Sequence, residues 1–211
     1  MTGQRKGPLI IGLTGGIAMG KSTVAKMFMG ENVPVFDADA AVHSLQGPGG
    51  ALLAPIEAEF PGTTGLEGVD RLLLGKAVFG NPERLARLEA IIHPTVAAMR
   101  TAFLERHADK ALIVLDIPLL FEKGGHSAVD HIVVVSAPPE QQRARALARD
   151  GMTAEKFDQI LALQTPDAKK RARADTVIDT GGTLADTQRQ VAALVKKLRE
   201  RLAVSDEQAD M

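Results

Sequence analysis

A chain of 211 residues with a formal net charge of −1 is long enough to bury its own core and carries no global basic field to draw it to nucleic acid. It has no cysteine, which excludes disulfides and thiolate metal sites and fits a reducing, cytoplasmic setting. No apolar run approaches membrane-spanning length and Met1–Pro8 is too short and polar for a signal peptide, so a soluble protein is expected; the sequence leaves the oligomeric state open, with a monomer slightly favoured.

Taken from the N-terminus, Leu9-Ile-Ile-Gly-Leu13 reads as a buried strand and Thr23–Met29 as the first turns of a helix. Between them, Gly15-Gly-Ile-Ala-Met-Gly20-Lys21-Ser22 fits the phosphate-loop pattern G-x-x-x-x-G-K-[ST]. Such a loop turns successive backbone N–H groups inward as an anion nest, and the following helix adds a partial positive charge. In that pattern Lys21 reaches the β- and γ-phosphates of a nucleoside triphosphate, and the Ser22 hydroxyl is a ligand to Mg²⁺. With neither Trp nor Tyr in the chain, an adenine ring must be held by Phe, His, aliphatic walls, backbone groups or Arg planes.

Val33–Phe36 is the second strand, followed by Asp37 and Asp39. If the chain stays extended there, both carboxylates point to one face, at the carboxyl edge of the sheet where open α/β folds bind ligands. A carboxylate in that place can accept the proton of an attacking hydroxyl. The alternative is that Asp39 N-caps a helix over Ala40–Leu45. The stretch from Phe36 to Ala111 is several times what one crossover needs. It holds the loops Gly47-Pro-Gly-Gly50 and Pro61-Gly-Thr-Thr-Gly65, then helical patterns over Arg71–Phe79, Pro82–Ile92 and Thr95–His107. An all-helical insertion forming a second wall for an acceptor substrate is expected. His93, preceding Pro94, is biased toward extended geometry and can project its ring from a helix start.

The third strand, Ala111–Leu115, ends in Asp116, placed to hold a Mg²⁺ shell through water. His131–Ser136 and Thr176–Ile178 complete five strands separated by helices, the alternation of a parallel, doubly wound α/β sheet. Arg145 and Arg149, four apart on one helix face, suit neutralisation of a transferring phosphoryl group, although a solvated basic face has the same pattern. His43, His107, His126 and His131 have no metal-ligand spacing, so no zinc site is expected. In the last helix Thr183 and Asp186 have capping-box spacing. Leu184, Val191, Leu194, Val195, Leu198 and Leu202 form its apolar stripe, and Ser205–Met211 reads as a frayed polar tail.

From Ile10 to about Leu198 the chain resembles the dephospho-coenzyme A kinase family. The resemblance is carried by Gly12-Leu-Thr-Gly-Gly-Ile17 with Gly20-Lys-Ser-Thr23, Asp37-Ala-Asp39, Asp70-Arg71, Val78-Phe79, Leu88-Glu89 and Ile92-His93-Pro94. It continues through Asp116-Ile-Pro-Leu-Leu-Phe-Glu122, the most distinctive string after the phosphate loop. Gln142, Arg145, Arg149-Asp-Gly151, Gln164, Arg173-Ala-Asp175 and Val177-Ile-Asp179 complete it. The resemblance implies a three-layer P-loop kinase with a five-stranded parallel sheet, and ATP-dependent phosphorylation of the ribose 3′-hydroxyl of dephospho-CoA to give CoA and ADP. It implies one domain with a nucleotide-binding core over 8–36, 111–136 and 175–204, a helical acceptor subdomain over 40–108 and a lid over 138–165. The partners it implies are dephospho-CoA and ATP, with Mg²⁺, and neither nucleic acid nor membrane. It makes Asp39 the base, with Lys21, Arg145 and Arg149 also catalytic. ATP would lie on Gly15, Gly16, Ile17, Ala18, Met19, Gly20, Lys21, Ser22, Thr23, Arg145 and Arg149, the metal on Ser22 and Asp116. Thr14, Asp37, Asp39, His93, Leu119 and Phe121 would line the acceptor site. Another small-molecule kinase on the same fold would share the loop and the arginines but has no reason to carry the Asp116–Glu122 string. A nucleotide-switch protein is disfavoured by the lack of any Asn-Lys-x-Asp string.

Three departures from the family pattern involve four positions: Ala18-Met19 in the loop, Gln159 where Arg is usual, and Thr180 in place of Asn after Ile178-Asp179. Ala18 is expected to bring a Cβ toward the phosphates and to limit φ freedom.

Overall fold

A computed structural model describes residues 7–122 and 124–209; the segment assessed as a leader lies, but for its last two residues, outside them, as do Asp210 and Met211. Two compact units are present. One combines the chain up to Phe36 with the chain from His107 onward, and the other is Asp37–Arg106.

The first unit is built on five strands, β1 (Leu9–Gly15), β2 (Val35–Asp37, whose last residue begins the second unit), β5 (Leu112–Asp116), β6 (His131–Ser136) and β7 (Thr176–Asp179), in the order β2-β5-β1-β6-β7. β1 runs parallel to β5 and β6, and β6 parallel to β7. Leu112–Asp116 is buried along its whole length, as the continuous apolar runs of a parallel sheet covered on both faces require. Leu9 lies opposite Leu112 and Leu13 opposite Asp116, so β5 delivers a carboxylate just before β1 enters the phosphate loop. Helices α1 (Lys21–Gly30) and α9 (Leu184–Ala209) supply Val24, Phe28, Val191, Leu194, Val195 and Leu198 to a core shared with Leu9, Ile11, Leu13, Val114, Val133, Val135 and Ile178.

The reading of α9 holds at its start. Asp186 Oδ2 accepts the Thr183 N–H at 3.0 Å and Thr183 Oγ1 accepts the Asp186 N–H at 3.1 Å, the reciprocal pair of a capping box. Leu184, expected in the apolar stripe, is instead 71% exposed, because it sits at the first helical position before the buried face begins. The expected frayed tail is also corrected, since the helix runs on through Ser205 to Ala209.

In the second unit, α2 (Ala38–Gln46), α3 (Leu53–Glu59), α4 (Arg71–Val78) and α5 (Pro82–Arg106) enclose Leu45, Leu52, Ile56, Phe60, Leu74 and Leu88. The unit is not all-helical: β3 (Thr64–Gly65) and β4 (Gly68–Val69) pair antiparallel. Glu57 fastens this hairpin, accepting from the Gly62 N–H at 2.6 Å and from the Thr64 N–H and hydroxyl at 3.0 and 2.7 Å. These donors, Gly62 first, hold its carboxyl below the usual range. Gly68 has φ +103°, and a Cβ there would meet the Gln46 carbonyl at 2.4 Å, so only glycine fits.

The two helices expected on either side of His93-Pro94 are one helix of 25 residues with Pro94 inside it. Leu88, Ile91, Ile92 and Val96 carry one apolar stripe across the proline onto the unit's core, while Pro94 itself is exposed. Packing of that stripe offsets the roughly 3 kcal/mol local cost of an internal proline. His93 is therefore an exposed residue in mid-helix, not the first residue of one.

Candidate active site

The phosphate loop leaves β1 at Gly15, where a Cβ would lie 2.7 Å from the Val135 carbonyl of the neighbouring strand. It enters α1 through Gly20 at φ +91°, and α1 begins with no side-chain cap. The first N–H groups of such a helix are left to an anion, where the helix dipole is also favourable.

Lys21 and Asp116 are brought together: the ammonium is ion-paired with a carboxylate only 2% exposed at the carboxyl end of β5. Ser22, on the first turn of α1, is exposed. Thr14, fully buried, donates its hydroxyl to the Pro118 carbonyl at 3.2 Å, which ties β1 to the segment that follows Asp116. In that segment Leu119 is half-buried. Phe121 is buried, with the Arg173 guanidinium 4.4 Å from its ring centroid.

The two unusual loop residues act differently from expectation. Ala18 does adopt a left-handed conformation, φ +59°, but its side chain packs with Ala146 and Phe157. Its Cβ is thus absorbed by α6 (Pro139–Leu147) and α7 (Ala154–Leu163). Met19 is 2% exposed and belongs to the sheet core, with its Sδ accepting the Ala137 N–H at 3.1 Å. Both side chains are thus packed into the protein rather than turned out from the loop.

Thr180 is the residue whose importance sequence reasoning missed; it had registered only as a departure. Its hydroxyl donates to the Met19 carbonyl at 2.7 Å. The same oxygen accepts from Arg145 Nη1 at 3.1 Å, and the Thr180 carbonyl accepts from Arg145 Nη2 at 2.7 Å. One threonine therefore joins the end of β7, the phosphate loop and Arg145 of α6. Two glutamines were also missed as functional groups, although both fall in family strings. Gln142 Nε2 donates to the Ile17 carbonyl at 2.8 Å, and Gln164 Oε1 accepts the Ile17 N–H at 2.9 Å. They hold both sides of one loop residue from α6 and from the end of α7.

Arg149 does not share a helix face with Arg145. α6 ends at Leu147, and Ala148–Gly151 form a turn in which Gly151 has φ +70° and the Met152 N–H donates to the Arg149 carbonyl at 3.1 Å. Arg149 is exposed in that turn. Beside Arg145 lies a cavity of about 250 Å³ lined by Gly20, Thr23, Arg145, Thr180, Gly182, Leu184 and Thr187. Its walls are glycine backbone, three threonines, Leu184 and the Arg145 guanidinium.

The remaining expected residues belong to the second unit. Asp37, not Asp39, N-caps α2, accepting the Ala40 N–H at 2.9 Å. The chain turns helical at Ala38, so the two carboxylates are not displayed by strand alternation; Asp39 is exposed in the first helical turn. His43 is hydrogen-bonded to Arg71. Among the described residues no group of three or more His, Cys, Asp or Glu could hold a metal ion by itself, and no helix is long and apolar enough to cross a membrane.

A family model described as CoaE, dephospho-CoA kinase, matches residues 9–186. The dephospho-CoA kinase of Novosphingobium aromaticivorans is 63% identical over 194 residues, covering 92% of this chain and 96% of that protein. That of Cereibacter sphaeroides is 50% identical over 193 residues, covering 92% and 97%. Among solved structures, TT1252 from Thermus thermophilus superposes with a TM-score of 0.79 at 36% identity, covering 92% of this chain and 99% of that one. The dephospho-CoA kinase from Campylobacter jejuni, at 23% identity and a TM-score of 0.61 over 90% and 96%, shares the fold. The chain belongs to the dephospho-CoA kinase family.

Proposed function

We infer that this chain phosphorylates the ribose 3′-hydroxyl of dephospho-CoA with ATP, giving CoA and ADP in the last step of coenzyme A biosynthesis. The observation that carries the inference is the loop Gly15–Ser22 with Lys21 held against a buried Asp116, in a chain 63% identical to a dephospho-CoA kinase. Phosphoryl transfer needs little covalent chemistry from a protein; positioning and charge neutralisation supply most of the rate.

Backbone N–H groups of the loop and of the first turn of α1 would cradle the β- and γ-phosphates, with Lys21 exchanging Asp116 for phosphate oxygen; the Ile17 N–H, held by Gln164, and the Met19 and Thr23 N–H groups, bonded to the Gly16 and Gly20 carbonyls, are not among them. The cavity beside Arg145 and Thr180 would take the nucleoside base. Ser22 and Asp116 are a hydroxyl and a carboxylate, hard oxygen donors of the kind Mg²⁺ takes, and two protein ligands suffice when phosphates and water complete the shell. A bound Mg²⁺ would neutralise charge on the β- and γ-phosphates. Arg145 is supported by Thr180, and Arg149, in its turn, is free to reach the transferring group. Asp39 would accept the proton of the 3′-hydroxyl, an assignment supported by its match to the family's Asp-Ala-Asp element and by its exposure in the first turn of α2. Thr14, Asp37, His93, Leu119 and Phe121 are the other proposed acceptor contacts.

Incubation with ATP, Mg²⁺ and dephospho-CoA should give a product heavier by one phosphate, located at the 3′ position by mass spectrometry. Asp39→Asn should lower turnover by about a hundredfold or more and leave ATP affinity nearly unchanged. Unaltered turnover in that variant would remove Asp39 from the mechanism.

A further inference from the structure

Lys170 lies in α8 (Asp167–Ala172) and is completely buried, 0% exposed, with its Nζ 2.9 Å from Glu122 Oε1. Glu122 closes the Asp116–Glu122 string. The same Oε1 accepts the Thr165 N–H at 2.7 Å. Burial pushes the Glu122 carboxyl upward, but Lys170 and the Thr165 N–H outweigh it and hold the group below the usual range. A buried pair of this kind is costly to desolvate, and apolar residues of similar volume are often as stabilising. Fold stability alone therefore gives weak reason for an ammonium and a carboxylate here.

What the pair does have is direction. Thr165 follows Gln164, and Gln164 Oε1 is the acceptor of the Ile17 N–H in the phosphate loop, opposite the bond from Gln142. The joint between α7 and α8 is fixed by Glu122 at Thr165, and by the Ser136 hydroxyl donating to Asp167 Oδ2 at 2.8 Å. A shift of that joint by even half an ångström would be transmitted to the Ile17 peptide, and a nest of N–H groups tolerates little reorientation.

We propose that Glu122 and Lys170 are positioning residues for the phosphate loop, acting through Thr165 and Gln164 on the Ile17 peptide so that the loop is set for ATP before ATP arrives. The proposal rests on the reading of the loop as the ATP site, but not on the identity of the acceptor.

The test is calorimetric titration of Mg·ATP into the full-length protein, alongside steady-state kinetics with both substrates. Glu122→Gln and Lys170→Met should each weaken ATP binding three- to tenfold, the range one lost hydrogen bond gives. The KM for dephospho-CoA should stay within twofold. Gln164→Ala should have the same effect, and adding Glu122→Gln to it should weaken ATP no further, because both act on one peptide. Lys170→Met leaves a buried carboxylate and can unfold the chain, so the double variant E122Q/K170M, without either charge, keeps the question open to test. It should melt within a few degrees of the parent and still show the weakened ATP binding. Parent-like ATP affinity in the double variant, or effects of Glu122→Gln and Gln164→Ala that multiply, would overturn the proposal and leave the pair a packing element. Failure of the parent to phosphorylate dephospho-CoA would instead sink the functional reading, and ATP titration would still decide this one.

Discussion

Ala18 is a non-glycine residue at φ +59° in the loop that must face a triphosphate. Left-handed geometry costs an L-residue about 1–2 kcal/mol, and here contact with Ala146 and Phe157 offsets part of that. Ala18→Gly should therefore change stability by less than about 1 kcal/mol, relief of strain offsetting lost contact and greater chain entropy. Ala18→Val, β-branched and larger, should destabilise by about 2–4 kcal/mol. Thermal unfolding of the two variants checks both figures, and an innocuous valine would mean that the loop is not held in this conformation. The sequence alone marked Ala18 and Met19 as anomalies in a phosphate-facing loop. It could not tell which way their side chains turn, because that depends on Phe157 and Ala137, more than a hundred residues away. Lys170 was illegible for a similar reason: in Asp167-Ala-Lys-Lys-Arg-Ala172 nothing local distinguishes a buried lysine from its solvated neighbours.

At the scale of elements, the five strands were legible because each is a short apolar run bounded by turn residues. Three helix boundaries were not. Pro94 was read as a break, yet the stripe Leu88–Val96 packs straight through it; Asp37 took the cap read for Asp39; and α6 stopped before Arg149. At Pro94 a local rule yielded to contacts from elsewhere in the chain; the other two bounds are set locally, by the Asp37 cap and by the turn over 148–151. The two-residue strands β3 and β4 are too short to show any period. The start of β6 gives a pH-dependent expectation. His131 is buried, and its Nε2 lies 2.9 Å from the Thr176 hydroxyl on β7. Burial lowers its pKa from the ordinary 6.5; Asp175 opposes this, while Arg201 and Lys197 reinforce it. The unfolded chain thus binds a proton more readily than the folded one. Stability from neutral His131 is complete above the ordinary value and is lost as pH falls through the lowered folded value. Urea unfolding between pH 7.5 and about 5 should show a steeper loss of stability in the parent than in His131→Gln. Parallel curves would mean that the ring charges without penalty.

At the scale of the whole molecule, the chain divides at Phe36 and at His107, so that nearly all of the long stretch between β2 and β5 is the second unit. The division has an energetic meaning, since each unit has its own buried cluster and all the loop contacts described above lie in the first. Ile56, 0% exposed, is at the centre of the second cluster. Ile56→Ala should cost about 2–5 kcal/mol and raise the KM for dephospho-CoA, with ATP affinity unchanged below the melting transition. Loss of ATP affinity in step with the acceptor effect would show instead that the two cores fail as one.

The Lys21–Asp116 pair means that the phosphate site contains its own competitor. A newcomer does not simply fill a positive hole; it displaces a carboxylate already neutralising the lysine. The net gain is the difference between two anions, and for a singly charged ion such as chloride or acetate that difference is close to nothing. A triphosphate, which engages the loop's N–H groups and the helix end together with Lys21, makes several contacts that the carboxylate cannot. A ligand that makes several such contacts at once therefore gains more from displacing the carboxylate than a singly charged ion does.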